Sequence, residues 1–194
     1  VQDPAITVLL RLEDEEAHLA IWTTTPWTLP SNLAVCVGPE LEYLKVRDTE
    51  RDLVLYIAAD RLEHYGKRHQ LEVLASLTGA ELAGRRYRPL FPYFADQAEQ
   101  GAFVVITGDY VTADDGTGLV HQAPAFGEDD FKVLQLENRA RREAGQPELP
   151  LICPVMANGK YDPEQAPELV ANMWVKDADK VLVRDLKERG KLLH

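Results

Sequence analysis

The sequence predicts an α+β fold, a β-barrel-like core of short strands with a few peripheral helices. Three observations predict it. Short apolar runs rich in β-branched residues recur through the first two thirds of the chain, each stopped by Gly, Pro or Asp. Helical periodicity is confined to a few segments, of which 128–143 and 177–189 are the longest. The composition, 45% hydrophobic and 27% charged over 194 residues, suits one globular domain with a real core.

The elements follow in order. Residues 5–12 are β-rich and end in the acidic turn Glu13-Asp14-Glu15-Glu16. Residues 18–25 form a second strand, so the two make a hairpin. Runs at 33–37, 43–46 and 53–58 are further strands, separated by turn formers such as Gly38-Pro39 and Asp48. Residues 59–69 read as a short helix with Asp60 near its start, 71–77 as a strand, and 78–83 as a helical turn closed by Gly84. The Pro- and aromatic-rich stretch 85–93 is extended. AFVVIT at 102–107 is the cleanest buried strand, and 119–122 is another. In the helix 128–143, Phe131, Leu134 and Leu136 supply the apolar side. Arg139, Arg141 and Arg142 complement the dipole at its end. A strand at 151–155, a turn at Asn158-Gly159 and a helix at 177–189, stopped by Gly190, complete the chain. It contains no internal repeat and no low-complexity linker.

Bulk properties exclude several classes. No stretch approaches the ~18 apolar residues of a membrane span. The start, VQDPAITVLLRL, lacks the basic and apolar segments of a signal peptide. It also lacks an initiator Met, so a single domain, 1–194, cut from a longer chain is expected. The net charge of -11 argues against a general nucleic-acid binder, so any RNA contact is local or supplied by a partner. Cys36, in LAVCV, reads as a buried thiol. A disulfide to Cys153 stays open, but no CxxC pair suggests a metal knuckle and nothing points to an oxidising compartment. Cytoplasm is the expected location.

Two segments carry chemistry. In IWTTTPWTLPSN, Trp22 and three threonines, Thr23, Thr24 and Thr25, end a strand that Pro26 blocks from continuing. Hydroxyls and free backbone N–H groups at a strand end can line a small polar pocket; a plain β-branched strand and Pro turn would give the same letters. In DGTGLVHQAPAFGEDDF, Gly116 and Gly118 flank Thr117 and permit an unusual backbone path or close approach by a ligand. His121 follows on a short strand. Glu128, Asp129 and Asp130 then open a helix, where acids are favourable for capping alone but can also hold an ammonium group. His121 is equally compatible with a satisfied structural histidine. No metal is expected: His121, Asp129 and Asp130 are ligands by type, but no second His stands at a ligand spacing. The chain has no GxSxG, and its GTG lacks the GK[ST] of a phosphate-binding loop.

At these two segments the chain resembles the editing insertion of the class I synthetases for isoleucine, valine and leucine. WTTTPWTLPSN is similar to the isoleucine version of the threonine-rich motif, where the valine and leucine enzymes carry a TTRP-type sequence. GTGLVHQAPAFGEDDF resembles the second editing motif, and WVKDADKVLVRDLKERGKLLH the segment leading back toward the synthetic domain. The HIGH and KMSKS signatures of the synthetic site are absent, so this segment is not expected to activate isoleucine.

The resemblance implies a hydrolase that removes valine from tRNA(Ile), with valyl-adenylate as a further substrate and no cofactor. Its partners are then the aminoacyl 3′ end of tRNA(Ile) and the remaining domains of a parent synthetase, with the chain a monomer. It places the ammonium contact on Asp130, with Asp129 the nearest competitor for that register. Thr23, Thr24 and Thr25 would contact the ester and terminal adenosine, and Trp22 would wall the pocket. His121 would crowd the side-chain end or place the ribose. Thr28 and Asn32 would stand at the rim. A noncatalytic module that holds the same ligand is the alternative.

Overall fold

A computed structural model describes residues 5–193. Residues 1–4, part of the start read as lacking a signal peptide, and His194, the end of the tail motif, lie outside the described residues. β1 (Ile6–Arg11) and β2 (His18–Thr23) form the expected antiparallel hairpin, in register from Ile6↔Thr23 to Arg11↔His18. β3 (Ala34–Val37), β4 (Glu42–Asp48), β5 (Leu53–Ala58), β6 (Leu71–Thr78), β7 (Val104–Thr107) and β8 (Leu119–Gln122) complete a mixed sheet.

β2 organises the sheet. One edge pairs with β1 throughout. The other divides: His18 and Leu19 run parallel to β5, while Trp22 pairs in parallel with Val120 of β8. From β8 the pairing passes to β3 and then to β7. Residues 85–88 bridge β7 to the end of β1 through Arg86↔Val104 and Leu12↔Tyr87. The circuit β1–β2–β8–β3–β7 therefore returns to β1 through this extended segment, which makes the core barrel-like. β4, β5 and β6 form an antiparallel sheet attached at the start of β2.

Strand alternation explains the cores. On β1, Ile6, Val8 and Leu10 face the barrel interior with Ile21, Val35, Val105 and Leu119, whereas Leu9 joins Ala20, Leu55 and Ile57 on the other side. With both faces covered, these strands read as continuous apolar runs. The acidic turn after β1 is held by Glu15, which accepts from Lys45, Tyr56 and Arg85. Burial pushes the Glu15 carboxyl up, but those three partners outweigh it and hold it at about 2.

Among the described residues, four α-helices surround the sheet: α1 (Leu62–Gly66), α2 (Gly79–Leu82), α3 (Glu128–Glu143) and α4 (Val175–Glu188). Thr78 and Glu81 form a capping box at the start of α2. No helix among the described residues is long and apolar enough to cross a membrane.

Several expectations are corrected. The segment 59–69 divides into a 3-10 turn, Ala59–Arg61, and the short α1. The strand expected from 102 begins only at Val104, because Phe103 has φ 61° and breaks the extended run. Residues 151–155 are not a strand: only Val155 bridges, to Tyr161, and Pro150 and Pro154 remove two backbone donors. On α3, Phe131 and Leu136 are 40% and 67% exposed. The inward face instead runs Asp130, Val133, Leu134, Glu137 and Arg141, the i, i+3, i+4, i+7, i+11 series. Both cysteines are free, Cys36 buried and Cys153 exposed, so the disulfide left open is not formed.

Candidate active site

The two chemical segments meet where β2 and β8 run side by side. β2 ends at Thr23, not at Thr25 as expected. The Thr23 hydroxyl accepts the Thr25 N–H at 3.0 Å, so the backbone turns inward before Pro26. A 3-10 turn, Pro26–Ser31, follows. Opposite it, the Gly116-Thr117-Gly118 loop leads into β8, tied down by Ala58 N–H to the Thr117 carbonyl at 2.8 Å and by Arg61 to the Gly116 carbonyl at 2.9 Å. Gly118 has φ +77°, and a Cβ there would lie 2.4 Å from the Ala58 Cβ. No other residue fits this position without moving β5.

Between these walls lies a pocket of about 390 Å³. Trp22, Thr23, Thr24, Thr25 and Thr28 form one side and the glycine loop another. His121, Phe126 and Asp130 stand on the remaining wall, with Tyr110, Val111 and Thr112 among its other residues. Trp27 packs edge-on to Phe126 at 5.0 Å, joining the two segments behind the pocket.

His121 is 7% exposed and has both ring nitrogens engaged. Tyr87 donates to Asn32 Oδ1 at 2.6 Å, and Asn32 Nδ2 donates to His121 Nδ1 at 2.8 Å. With Nδ1 accepting, Nε2 carries the proton and faces Thr28 Oγ1 at 3.0 Å; that hydroxyl donates to the Thr25 carbonyl at 2.8 Å. Burial lowers the imidazole to about 4, so the ring is neutral near pH 7. A neutral ring with both nitrogens bonded shapes the pocket and is unavailable as a general base.

Asp130 stands at the third position of α3, half-buried, with Oδ2 accepting the Ala123 N–H at 2.9 Å. Burial raises its carboxyl above the ordinary value, and the neighbouring Asp129 charge adds to this. Lys132, the nearest cation on the helix, pairs with Glu128 and Asp129 instead. Among the described residues Asp130 has no ion pair. A half-buried carboxylate without a cation, at a pocket wall, is suited to receive a positively charged ligand group. No group of three or more metal-ligating side chains occurs among the described residues.

The chain is similar to known proteins both in sequence and in fold. The chain is 45% identical over 195 residues to mouse (Mus musculus) cytoplasmic isoleucine–tRNA ligase, with 100% of the chain and 15% of the relative covered. It is also 45% identical to isoleucine–tRNA ligase of Bdellovibrio bacteriovorus, covering 99% of the chain and 17% of the relative. Among solved structures, GlLeuRS-CP1 superposes with a TM-score of 0.77 at 17% identity over 98% of each chain. The editing domain of P. knowlesi cytosolic leucyl-tRNA synthetase gives 0.71 at 11%, over 97% of this chain and 94% of that one. No family model matches. The chain is a homologue of isoleucine–tRNA ligases, with the fold of a synthetase editing domain. It spans about a sixth of the ligases it matches.

In this ligase homologue, the residues expected at the site divide clearly. Trp22, Thr23, Thr24, Thr25, Thr28, Gly116, Thr117, Gly118, His121 and Asp130 all line the pocket. Asn32 does not stand at the rim: it is 4% exposed and sits behind His121 as its hydrogen-bond support. Asp129 does not reach the pocket; its side chain is 65% exposed beside Lys132. On a helix, adjacent residues project about 100° apart, so only one of the two acids can face inward. Tyr110, Val111 and Thr112 also line the pocket but were not singled out from the sequence, whereas Phe126 and Gly127 lie within the second motif and were given no role there. All five lie in irregular segments without periodicity, and for Tyr110, Val111 and Thr112 only their nearness to the GTG motif was a hint.

Proposed function

We propose that the chain is a proofreading hydrolase that removes valine from mischarged tRNA(Ile). The observation that carries this reading is the unpaired, half-buried Asp130 carboxylate across a small pocket from the threonine turn. Asp130 receives the α-ammonium of the aminoacyl group, and the ligand's charge offsets what its burial costs. Thr23, Thr24 and Thr25 contact the ester and the terminal adenosine. The neutral His121, fixed by Asn32 and Thr28, closes the side-chain end of the pocket.

The chemistry asks little of a general base. Water adds to the ester carbonyl carbon, the C–O bond to the ribose breaks, and the ribose oxygen leaves with a proton while free valine forms. An aminoacyl ester is already activated, so holding it near water and stabilising developing charge supply the rate. The isoleucine enzyme is itself the standard example of why such a site is needed: one methylene is worth only ~1–3 kcal/mol in an apolar pocket, whereas a second, smaller pocket rejects isoleucine by overlap. Valyl-adenylate presents the same ammonium and adenosine and is a second substrate. The chain acts as one domain of a cytoplasmic parent synthetase, whose other parts grip the tRNA.

Deacylation of valyl-tRNA(Ile) and isoleucyl-tRNA(Ile) by the chain, Asp130→Ala and Asp129→Ala tests this. The expected result is selective loss of valine, reduced at least 100-fold by Asp130→Ala and little changed by Asp129→Ala, in the ~10²–10³ range typical of a lost key electrostatic contact. Binding of a valyl-adenylate analogue without hydrolysis of either ester would make the chain a noncatalytic module instead.

A further inference from the structure

We infer that Asp179, on α4 and outside the pocket, is a positioning residue that holds the threonine turn and, through Thr28, the ring of His121. The inference rests on the reading of the pocket given above. Asp179 is 4% exposed, and its Oδ1 accepts the Trp27 N–H at 2.8 Å. Tyr161, from the loop before α4, donates its hydroxyl to the Trp27 carbonyl. Both peptide groups of Trp27 are therefore held by the C-terminal part of the chain, across 152 and 134 residues of sequence.

Trp27 lies in the 3-10 turn Pro26–Ser31. The first N–H groups of such a turn have no partner within it, and Pro26 contributes none. The usual remedy is a side-chain cap from the preceding residue, here Thr25, yet Thr25 makes no such bond. A local cap would turn the Thr25 hydroxyl toward the backbone and away from the pocket. Asp179 supplies the cap from another element, with the added strength of a charged acceptor. The hydroxyls of Thr25 and Thr28 are thereby left on the pocket side, 3.4 Å apart. Thr28 follows Trp27 directly and meets His121 Nε2. The path from α4 to the pocket is Asp179, the Trp27 peptide, Thr28 and His121, with hydrogen bonds at both ends and one covalent step between.

A purely structural Asp179 would fasten α4 to the barrel and affect stability alone. Two readouts separate the roles: kcat and KM for valyl-tRNA(Ile), and the imidazole 15N resonances of His121, which report its tautomer and hydrogen bonds without any turnover. Asp179→Ala is expected to lower kcat about tenfold with KM little changed and to shift the His121 resonances toward those of a mixed tautomer. Asp179→Asn keeps an oxygen acceptor and is expected to restore most of both. If Asp179→Ala does not fold, Tyr161→Phe removes only the hydroxyl that holds the other peptide group of Trp27 and is read in the same way. A folded Asp179→Ala with unchanged kcat and unchanged His121 resonances overturns the inference. So does Asp179→Asn as impaired as Asp179→Ala. If the parent chain hydrolyses no valyl ester, the reading of the site fails, and the His121 resonances still decide whether Asp179 positions the turn.

Discussion

His121 illustrates how a titratable residue can serve a site through its neutrality. Burial holds its imidazole at about 4, against an ordinary 6.5. The neutral form is therefore favoured in the folded chain, and protonation favours unfolding. The stability this residue contributes is complete above about pH 6.5 and is lost as pH falls toward 4, on the order of 3 kcal/mol in all. An NMR titration should leave the His121 ring resonances unmoved from about pH 8 to 5, well above the folded midpoint; a midpoint near the ordinary value would remove the buried, neutral ring from the account. That His121 and Asp130 stand close together was legible in the second motif, because a short strand and a helix start presented them in order, and both line the pocket. The function of Asn32 was not. A strand-turn asparagine reads as rim polarity, and only the fold reveals that its amide is spent on the back of the imidazole.

At the scale of elements, the start of α3 shows how a helix terminus aims a side chain. Gly127 precedes the helix, and a Cβ at this position would lie 2.9 Å from the Asp130 carboxyl carbon. The glycine lets the carboxylate fold back onto the Ala123 N–H and face the pocket. Gly127→Ala is thus expected to displace a short side chain while leaving the helix intact. Deacylation should fall about tenfold or more, with an unfolding free energy changed by less than ~1 kcal/mol, since glycine is not required by φ here. Steady-state kinetics beside urea unfolding check this; full activity would show that Asp130 tolerates another rotamer. Elements themselves were unevenly legible. Leu53–Ala58, Leu119–Gln122 and Glu128–Glu143 were readable because apolar runs and acid-to-base polarity mark them strongly. The 3-10 turn Pro26–Ser31 was not, since it has two prolines and no period and is held by Asp179 and Tyr161 from far along the chain. The apolar side of α3 was misplaced for a related reason: its inward face includes Asp130, Glu137 and Arg141, which composition assigns to solvent.

The whole molecule carries a net charge of -11, and its cations are largely committed to internal partners. Lys45 and Arg85 bind the acidic turn, Arg141 pairs with Glu137, Arg142 with Glu148 and Arg189 with Asp185. Such a surface offers little to a phosphate backbone, whose neutralisation by Lys and Arg dominates most RNA affinity. On the function proposed above, recognition by this chain alone should therefore be confined to the aminoacyl end. That expectation is measurable. Each phosphate contact contributes a slope of roughly -0.7 to -0.9 to the logarithm of the binding constant against the logarithm of salt concentration. The logarithm of kcat/KM for valyl-tRNA(Ile) should fall with a slope no steeper than about -2, one or two contacts' worth. A short aminoacylated 3′-end oligonucleotide should be hydrolysed about as well as the full tRNA. A steep salt dependence, or a large preference for the intact tRNA, would require a phosphate-binding face assembled from cations outside those ion pairs, such as Arg68, Lys160, Arg184 and Lys187. If both substrates behave alike, the division of labour is physical: the acidic domain reads the ammonium and the size of the side chain, and the grip on the nucleic acid comes from the rest of a synthetase.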